Sequence, residues 1–166
     1  MKALTLWQPW ASLVVAGAKP YEFRSWAPPA SIIDERIGIH AAAKKIDAEE
    51  VGNMLFALTM RDTCDEIGRA AAELCLIPEL AIPVLNAALE GKLPMSAGLG
   101  TAIVGKPRLG TDIAAEFGVP RANDSDRDEH ANWGWPMLEI ERWPEPIPMR
   151  GAQGLWNWPT PEWANG

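Results

Sequence analysis

A 22-residue stretch, TLWQPWASLVVAGAKPYEFRSW at residues 5–26, constrains the fold of this chain most strongly. A weak period of two up to Trp7 predicts a first strand. Pro9 is suited to the first turn of a short helix, where its missing N–H does no harm. Gly17 is suited to the position that ends this helix. A second strand pattern begins at once, so we expect short elements joined by tight turns.

The second strand, residues 20–26, carries the most chemically demanding side chains. Its period of two places one set of residues in the core and puts Glu22, Arg24 and Trp26 on the other face. Glu22 and Arg24 then point the same way about 6 to 7 Å apart, and Lys19 can reach them from the preceding turn. Such a trio suits a polar planar ligand, such as a base with its phosphate. A surface salt-bridge cluster is the alternative.

Beyond this stretch the chain combines strand patterns with one long helical segment. The expected strands lie at residues 36–41, 98–109, 135–143 and 155–158. The expected helices lie at residues 46–58, 62–76 and 81–90. Asp47 is the expected N-cap of the first helix, and Pro78 and Pro83 are expected to interrupt the helical run. Residues 118–132 have no apolar period and predict a polar loop.

Few strands, short helices and turns with Gly or Pro predict an α+β fold, a small and mostly antiparallel β-barrel with an inserted helical segment. A chain of 166 residues is long enough for one domain to bury its core. We expect residues 1–158 to form that single domain, with the helical insertion at about 48–97. Residues 159–166 are expected to form a C-terminal tail.

Charge and composition narrow the functional classes. The net charge of −7 argues against a protein that coats nucleic acid non-specifically, because that affinity comes from neutralised phosphates. Residues 1–46 are nevertheless locally basic, with six lysines and arginines against three acids. Nine tryptophans are more than a core of this size needs, so we expect some to line a pocket or a stacking surface.

The sequence carries no signal for a membrane or for an oxidising compartment. No run of about 18 apolar residues predicts a transmembrane helix, and the N-terminus lacks a cleavable signal pattern. Cys64 and Cys75 form neither a CxxC pair nor a cluster with histidine, so we expect no structural zinc, no other metal and no cofactor. These features favour a cytoplasmic protein without membrane contact.

The remaining aromatic and imidazole side chains favour structure over chemistry. His40 lies near the end of the apolar strand at 36–41, where a buried core histidine is more common than a catalytic base. His130 lies in the polar loop, so the two histidines form no evident pair. Trp133 and Trp135 share one strand face, and a core position is favoured for both.

Four motifs in this chain resemble the ASCH domain, named for activating signal cointegrator homology. They are QPWASLVVAG, the K-x-x-E-x-R-S-W of residues 19–26, RIGIHAAAKK and, at the far end, PIPMRGAQGLWNW. The resemblance implies a PUA-like β-barrel. It also implies a cleft at the barrel mouth, lined by the G-x-K-x-x-E-x-R segment, and a general association with RNA.

A binding module is the first functional hypothesis, with a nucleotide or a single-stranded RNA end held in the cleft. Trp10 or Trp26 would stack on a base. Arg24 and Lys19 would contact a phosphate or a carbonyl, and Glu22 would accept a hydrogen bond from a base amine or a ribose hydroxyl. The rim of the cleft would be extended by His40, Lys44 and Lys45.

Two alternatives involve the same residues. Some bacterial relatives of the family deacylate N4-acetylcytidine with a Lys, a Thr three positions on and a Glu from a later strand, and such an enzyme would here use Lys19 and Glu22 as catalytic groups. Glu22, however, stands at the Thr position, and Ala102 and Ile103 stand where the later Glu is expected. The other alternative is a protein-interaction domain, with the tryptophans as partner surface. The oligomeric state is left open.

Overall fold

One curled, seven-stranded sheet forms the centre of the molecule. The structure is a computed structural model, and it describes residues 1–122 and 133–159. The strands are β1 (Lys2–Leu6), β2 (Tyr21–Arg24), β3 (Arg36–Ala41), β4 (Ala97–Val104), β5 (Arg108–Leu109), β6 (Trp133–Pro148) and β7 (Leu155–Asn157). Their order is β2-β6-β4-β3-β1-β7, and β5 also pairs with β6. Within this sheet β1 and β3 run parallel, and the other pairs are antiparallel.

Helices pack on this sheet or connect its strands. They are α1 (Trp10–Val15), α2 (Ala48–Thr59), α3 (Asp65–Glu73), α4 (Pro78–Leu89) and α5 (Gly110–Glu116), with a 3-10 turn at Ala30–Ile32. The helices α2, α3 and α4 follow one another between β3 and β4. The sheet curls into a half-barrel, so the predicted α+β, PUA-like fold with inserted helices is confirmed.

Local sequence explains several helix ends. Asp47 caps α2 as predicted, because its carboxylate accepts the backbone N–H groups of Glu49 and Glu50 at 3.0 and 3.2 Å. Gly17 follows α1 with a φ of +74°, a conformation that a glycine adopts without steric cost. The chain can therefore reverse direction immediately after this short helix.

The prediction that Pro78 and Pro83 interrupt the helical run is correct for Pro78, since the run is broken between Glu73 and Pro78, and wrong for Pro83. α4 begins at Pro78, where the missing N–H is harmless, and it continues through Pro83. Pro83 lies on the exposed face of α4, where water can satisfy the carbonyl that loses its partner. The opposite face buries Ala81 and Leu85 in a cluster with α2, and this packing holds the helix together.

Two elements differ from the sequence prediction. The sequence predicts no helix at 110–116, and it predicts a strand that ends at 143. α5 forms because its Ile113 is buried against the sheet, in the space left open by Gly134. β6 continues to Pro148, which pairs with Ala97 at the end of the ladder, where a proline is tolerated. Both outcomes depend on partners that are distant in the sequence.

Three apolar clusters hold the described elements together, and the smallest consists of Phe23, Cys75, Ile113 and Ala122. The first lies between the sheet and α1 and includes Leu4, Ile37 and Trp135. The second lies within α2, α3 and α4 and takes in Leu13 and Ala18, so the inserted helices pack onto the α1 region. The division into one domain with a tail remains a prediction. His130, positions 123–132 of the polar loop and positions 160–166 of the tail lie outside the described residues.

No helix within residues 1–122 and 133–159 is by itself long and apolar enough to cross a bilayer. The pair α3 and α4 passes this test only together, across a bend of 81°. Cys64 is exposed and Cys75 is buried. The cytoplasmic location remains a prediction.

Replacement of Gly98 by alanine is expected to lower the free energy of unfolding by about 1–3 kcal/mol. A Cβ there would collide with the rings of Trp158 and Trp143. Gly52→Ala is the control, because a Cβ at this α2 position meets nothing within 4 Å and should stabilise the protein by up to about 1 kcal/mol. Urea denaturation measures both changes, and equal effects would contradict the packing.

Candidate functional site

The turn that carries Lys19 is fixed from two sides. The backbone N–H groups of Ala18 and Lys19 both donate to the carbonyl oxygen of Leu13, at 2.9 and 3.1 Å. The carbonyl oxygen of Ala18 accepts the N–H of Ile77 at 2.9 Å, which ties this turn to the segment between α3 and α4. Lys19 therefore leaves a braced backbone between α1 and β2.

The side chain of Lys19 is almost completely buried, with 1% of its surface exposed. Its ammonium lies 4.8 Å from the ring centroid of Trp10 and 5.0 Å from that of Phe23. Lys19 Nζ is also 3.9 Å from Glu22 Oε2. Aromatic faces and a carboxylate both attract a cation, and such contacts offset part of the cost of burying its charge.

Glu22 lies between two cations. Its Oε1 atom is 3.2 Å from Arg24 Nε, while its Oε2 atom faces Lys19. The side chain of Glu22 is 8% exposed and that of Arg24 is 24% exposed. These three groups together carry two positive charges and one negative charge, and the guanidinium is the member that solvent reaches. The arrangement can attract an anionic group to the exposed side of Arg24.

Two tryptophans of β6 lie beside this cluster. In the antiparallel ladder between β2 and β6, Glu22 pairs with Trp135 and Arg24 with Trp133, so each pair shares a face. Trp135 is fully buried and Trp133 is half-buried. Trp26 packs edge-on against Trp135 at 4.8 Å, and its carbonyl oxygen accepts the indole N–H of Trp135 at 3.0 Å.

Five of the predicted ligand-binding side chains thus come together at the junction of α1, β2 and β6. Lys19 and Glu22 form the buried part, while Trp26, at 39% exposure, and the half-buried Trp10 and Arg24 form the part that solvent reaches. We call this group the Lys19 site, and it consists of Trp10, Lys19, Glu22, Arg24 and Trp26.

His40 is placed differently from the predicted rim. It is buried, its Nε2 donates to the carbonyl oxygen of Met149 at 2.8 Å, and its Nδ1 lies 3.2 Å from the hydroxyl of Thr5. The indole N–H of Trp156 donates to the same hydroxyl at 3.0 Å. Both ring nitrogens therefore have partners within the chain, and we leave His40 out of the proposed site.

Lys44 and Lys45 are exposed just after β3. The ammonium of Lys44 lies 3.2 Å from the ring centroid of Trp7, at the end of β1. Lys44 therefore contacts an exposed aromatic ring and not the buried carboxylate of Glu22.

The sequence did not reveal the tryptophans that border the cluster. Trp133 and Trp135 were expected to share a face, which the ladder confirms, but the sequence contained no sign that this face meets Glu22 and Arg24. At the two positions of β4 where the deacylase pattern needs a carboxylate, the chain has the apolar residues Ala102 and Ile103. Ala102 is buried and Ile103 is half-buried. Among residues 1–122 and 133–159, no three His, Cys, Asp or Glu side chains are grouped to hold a metal ion.

A salt bridge on the reverse side of β2 supports the strand. The hydroxyl of Tyr21 accepts a hydrogen bond from Arg108 Nη1 at 2.9 Å, and Arg108 Nη2 contacts Glu116 Oε1 at 2.6 Å. The hydrogen bond from Arg108 holds the pKa of the Glu116 carboxyl below its ordinary value. A depression of about 530 Å³ lies elsewhere, between α3 and the turn at Gly118, and contains no residue of the Lys19 site.

Comparison with known families gives one match. The sequence fits the ASCH domain over residues 4–87, which is half of the chain and contains the whole Lys19 site. A search of curated proteins finds no match.

Glu22→Gln is expected to lower the free energy of unfolding by about 3 kcal/mol, because it removes the carboxylate next to a buried ammonium. The exposed Glu35→Gln is the control, with an expected change within about 0.5 kcal/mol. Urea denaturation at neutral pH measures the two values. A Glu22 effect no larger than the control would show that the charge pairing contributes nothing to stability.

Proposed function

Because this chain belongs to the ASCH domain family, we propose that it binds a nucleotide or a single-stranded RNA end at the Lys19 site. The family is generally associated with RNA binding. The observation that carries the proposal is the cluster of Lys19, Glu22 and Arg24 beside partly exposed tryptophans. It combines an excess of positive charge with aromatic surface, and nucleotides present the complementary phosphate and base.

Each side chain has a role that matches its exposure. Arg24 contacts the phosphate, since its guanidinium offers planar, paired donors and reaches solvent. Trp26, or the half-buried Trp10, stacks on the base, an interaction that contributes about 1–3 kcal/mol. Glu22 orients Arg24 and accepts a hydrogen bond from a base amine or a ribose hydroxyl. Lys19 adds positive charge from the buried side of the site.

Hydrolysis of an acylated nucleoside is the second candidate. It is supported by the burial of Lys19 next to a carboxylate, an arrangement that general acid–base chemistry can use. It is weakened by the apolar Ala102 and Ile103 of β4. A protein-interaction domain is the third candidate, and it requires that the exposed tryptophans bind a polypeptide.

Arg24→Ala is expected to weaken nucleotide binding about tenfold or more, because it removes a charge-assisted hydrogen bond to phosphate. The test is calorimetric titration with uridine monophosphate and anisotropy of a labelled single-stranded RNA, each at several salt concentrations. The affinity of the wild type should fall as the salt concentration rises. The slope of log affinity against log salt concentration should be smaller in Arg24→Ala by about 0.7 for each phosphate that the arginine neutralises.

The matched control is Arg142→Ala, which removes an exposed arginine from the part of β6 that pairs with β4. Its affinity should stay within twofold of the wild type. Equal affinities of the Arg24 and Arg142 variants, or binding that salt does not change, would contradict the proposal.

Incubation with N4-acetylcytidine separates binding from catalysis. The binding proposal predicts no release of acetate above the uncatalysed rate. Release of acetate by the wild type that disappears in Lys19→Ala would contradict the binding proposal and support the hydrolase. Turnover that survives Lys19→Ala would remove Lys19 from the chemistry.

A further inference from the structure

Trp7 is exposed in a way that the Lys19 site does not explain. At 58% it has the largest exposed fraction of any large apolar side chain among residues 1–122 and 133–159. An indole that remains in water contributes little to folding, because the apolar area it buries is small.

The backbone beneath Trp7 is held firmly. The next residue, Gln8, is buried, and its amide group donates to the hydroxyl of Ser12 at 2.7 Å and to the carbonyl oxygen of Pro94 at 2.8 Å. Gln8 Oε1 accepts the backbone N–H of Ser12 at 3.0 Å. The carbonyl oxygen of Trp7 accepts the N–H of Ala11 at 3.2 Å. The indole is therefore presented from a preorganised support, which lowers the entropic cost of binding.

A cation completes this surface. The parallel pairing of β1 with β3 brings their ends together, and the N–H of Ala42 donates to the carbonyl oxygen of Leu6 at 2.9 Å. This places Lys44 Nζ 3.2 Å from the centroid of the Trp7 ring, with the exposed Lys45 next to it. An exposed ring with an ammonium group beside it can stack on one base while the ammonium contacts one phosphate.

Trp7 lies three residues before Trp10, which is the first residue of α1 and belongs to the Lys19 site. A chain of three residues spans at most about 11 Å, so the Cα atoms of Trp7 and Trp10 lie within that distance of each other. Trp10 is the residue whose ring lies beside the Lys19 ammonium. A strand bound at the Lys19 site can therefore continue to Trp7 with its neighbouring nucleotide.

We propose that Trp7, Lys44 and Lys45 form a second nucleotide subsite, so that the ligand of this protein is a single-stranded oligonucleotide and not a mononucleotide. The proposal rests on the function proposed for the Lys19 site. A nucleic acid fits this surface better than an apolar polypeptide, which would have to bury the Lys44 ammonium without a counter-charge. The surface also lies within the locally basic residues 1–46 of a chain whose net charge is −7.

The test compares uridine monophosphate with labelled oligouridylates of two, four and eight nucleotides, using calorimetry for the first and anisotropy for the others. The wild type should bind the oligonucleotides about tenfold more tightly than the mononucleotide, which is the gain expected from one further stacked base. Trp7→Ala should remove this gain and leave mononucleotide affinity within twofold. Trp7→Phe should keep part of the gain, and Lys44→Ala should lower oligonucleotide affinity alone.

Two controls match these variants in exposure. Phe56→Ala truncates a similarly exposed aromatic residue on α2, and Lys106→Ala removes an exposed lysine after β4. Neither should change either affinity. Unfolding transitions of all variants show whether Trp7→Ala remains folded, and Trp7→Phe provides the comparison if it does not.

The outcomes separate the two proposals. A gain with length that persists in Trp7→Ala overturns the second subsite, and so does an equal loss of mononucleotide and oligonucleotide affinity. Arg24-dependent binding of the mononucleotide with no gain for longer strands overturns the subsite but leaves the Lys19 site intact. Absence of binding to every probe overturns both.

Discussion

The pairing of β6 with two parts of the sheet determines where the functional side chains lie. Its first residues pair with β2 and its later residues pair with β4, so one strand connects the site to the centre of the half-barrel. Opposite residues of an antiparallel pair share a face, and this register puts Trp133 beside Arg24 and Trp135 beside Glu22. A slip by one residue would move the charged side chains to the other face of the sheet.

The electrostatics of the Lys19 site follow from that register. Glu22 lies beside the fully buried Trp135 and within ion-pair distance of Lys19 and Arg24. Apolar residues of similar volume often stabilise a fold as well as a buried ion pair does. A gain in stability therefore does not by itself account for these charges, and this is why we propose ligand binding before a purely structural role.

The inserted helices support both proposed subsites from behind. The segment between α3 and α4 bonds to Ala18 through the N–H of Ile77, next to Lys19. Pro94, which follows α4, accepts the amide of Gln8, next to Trp7. The helices thus brace the backbone on either side of α1, although they contribute no residue to the Lys19 site. The backbone of both proposed subsites is therefore held by hydrogen bonds to the inserted segment.

The sequence alone predicted most of the local elements and most of the residues of the proposed Lys19 site. The period of two after Gly17 placed Glu22 and Arg24 on one face, and the K-x-x-E-x-R-S-W motif pointed to the family. Local chemistry fixed these features, because a capping side chain, a positive φ or a strand alternation depends on few neighbours in the chain.

Only the tertiary structure decided which faces are covered. The strand pattern favoured a core position for His40 and the binding hypothesis placed it at a rim. Met149 and Trp156, more than 100 residues away, enclose it in the core. Pro83 stays inside a helix and α5 forms because distant surfaces pack against them. Lys44 contacts Trp7 because β1 and β3 are parallel. Strand register and burial result from pairing between distant segments, and the pattern of one segment does not contain the identity of its partner.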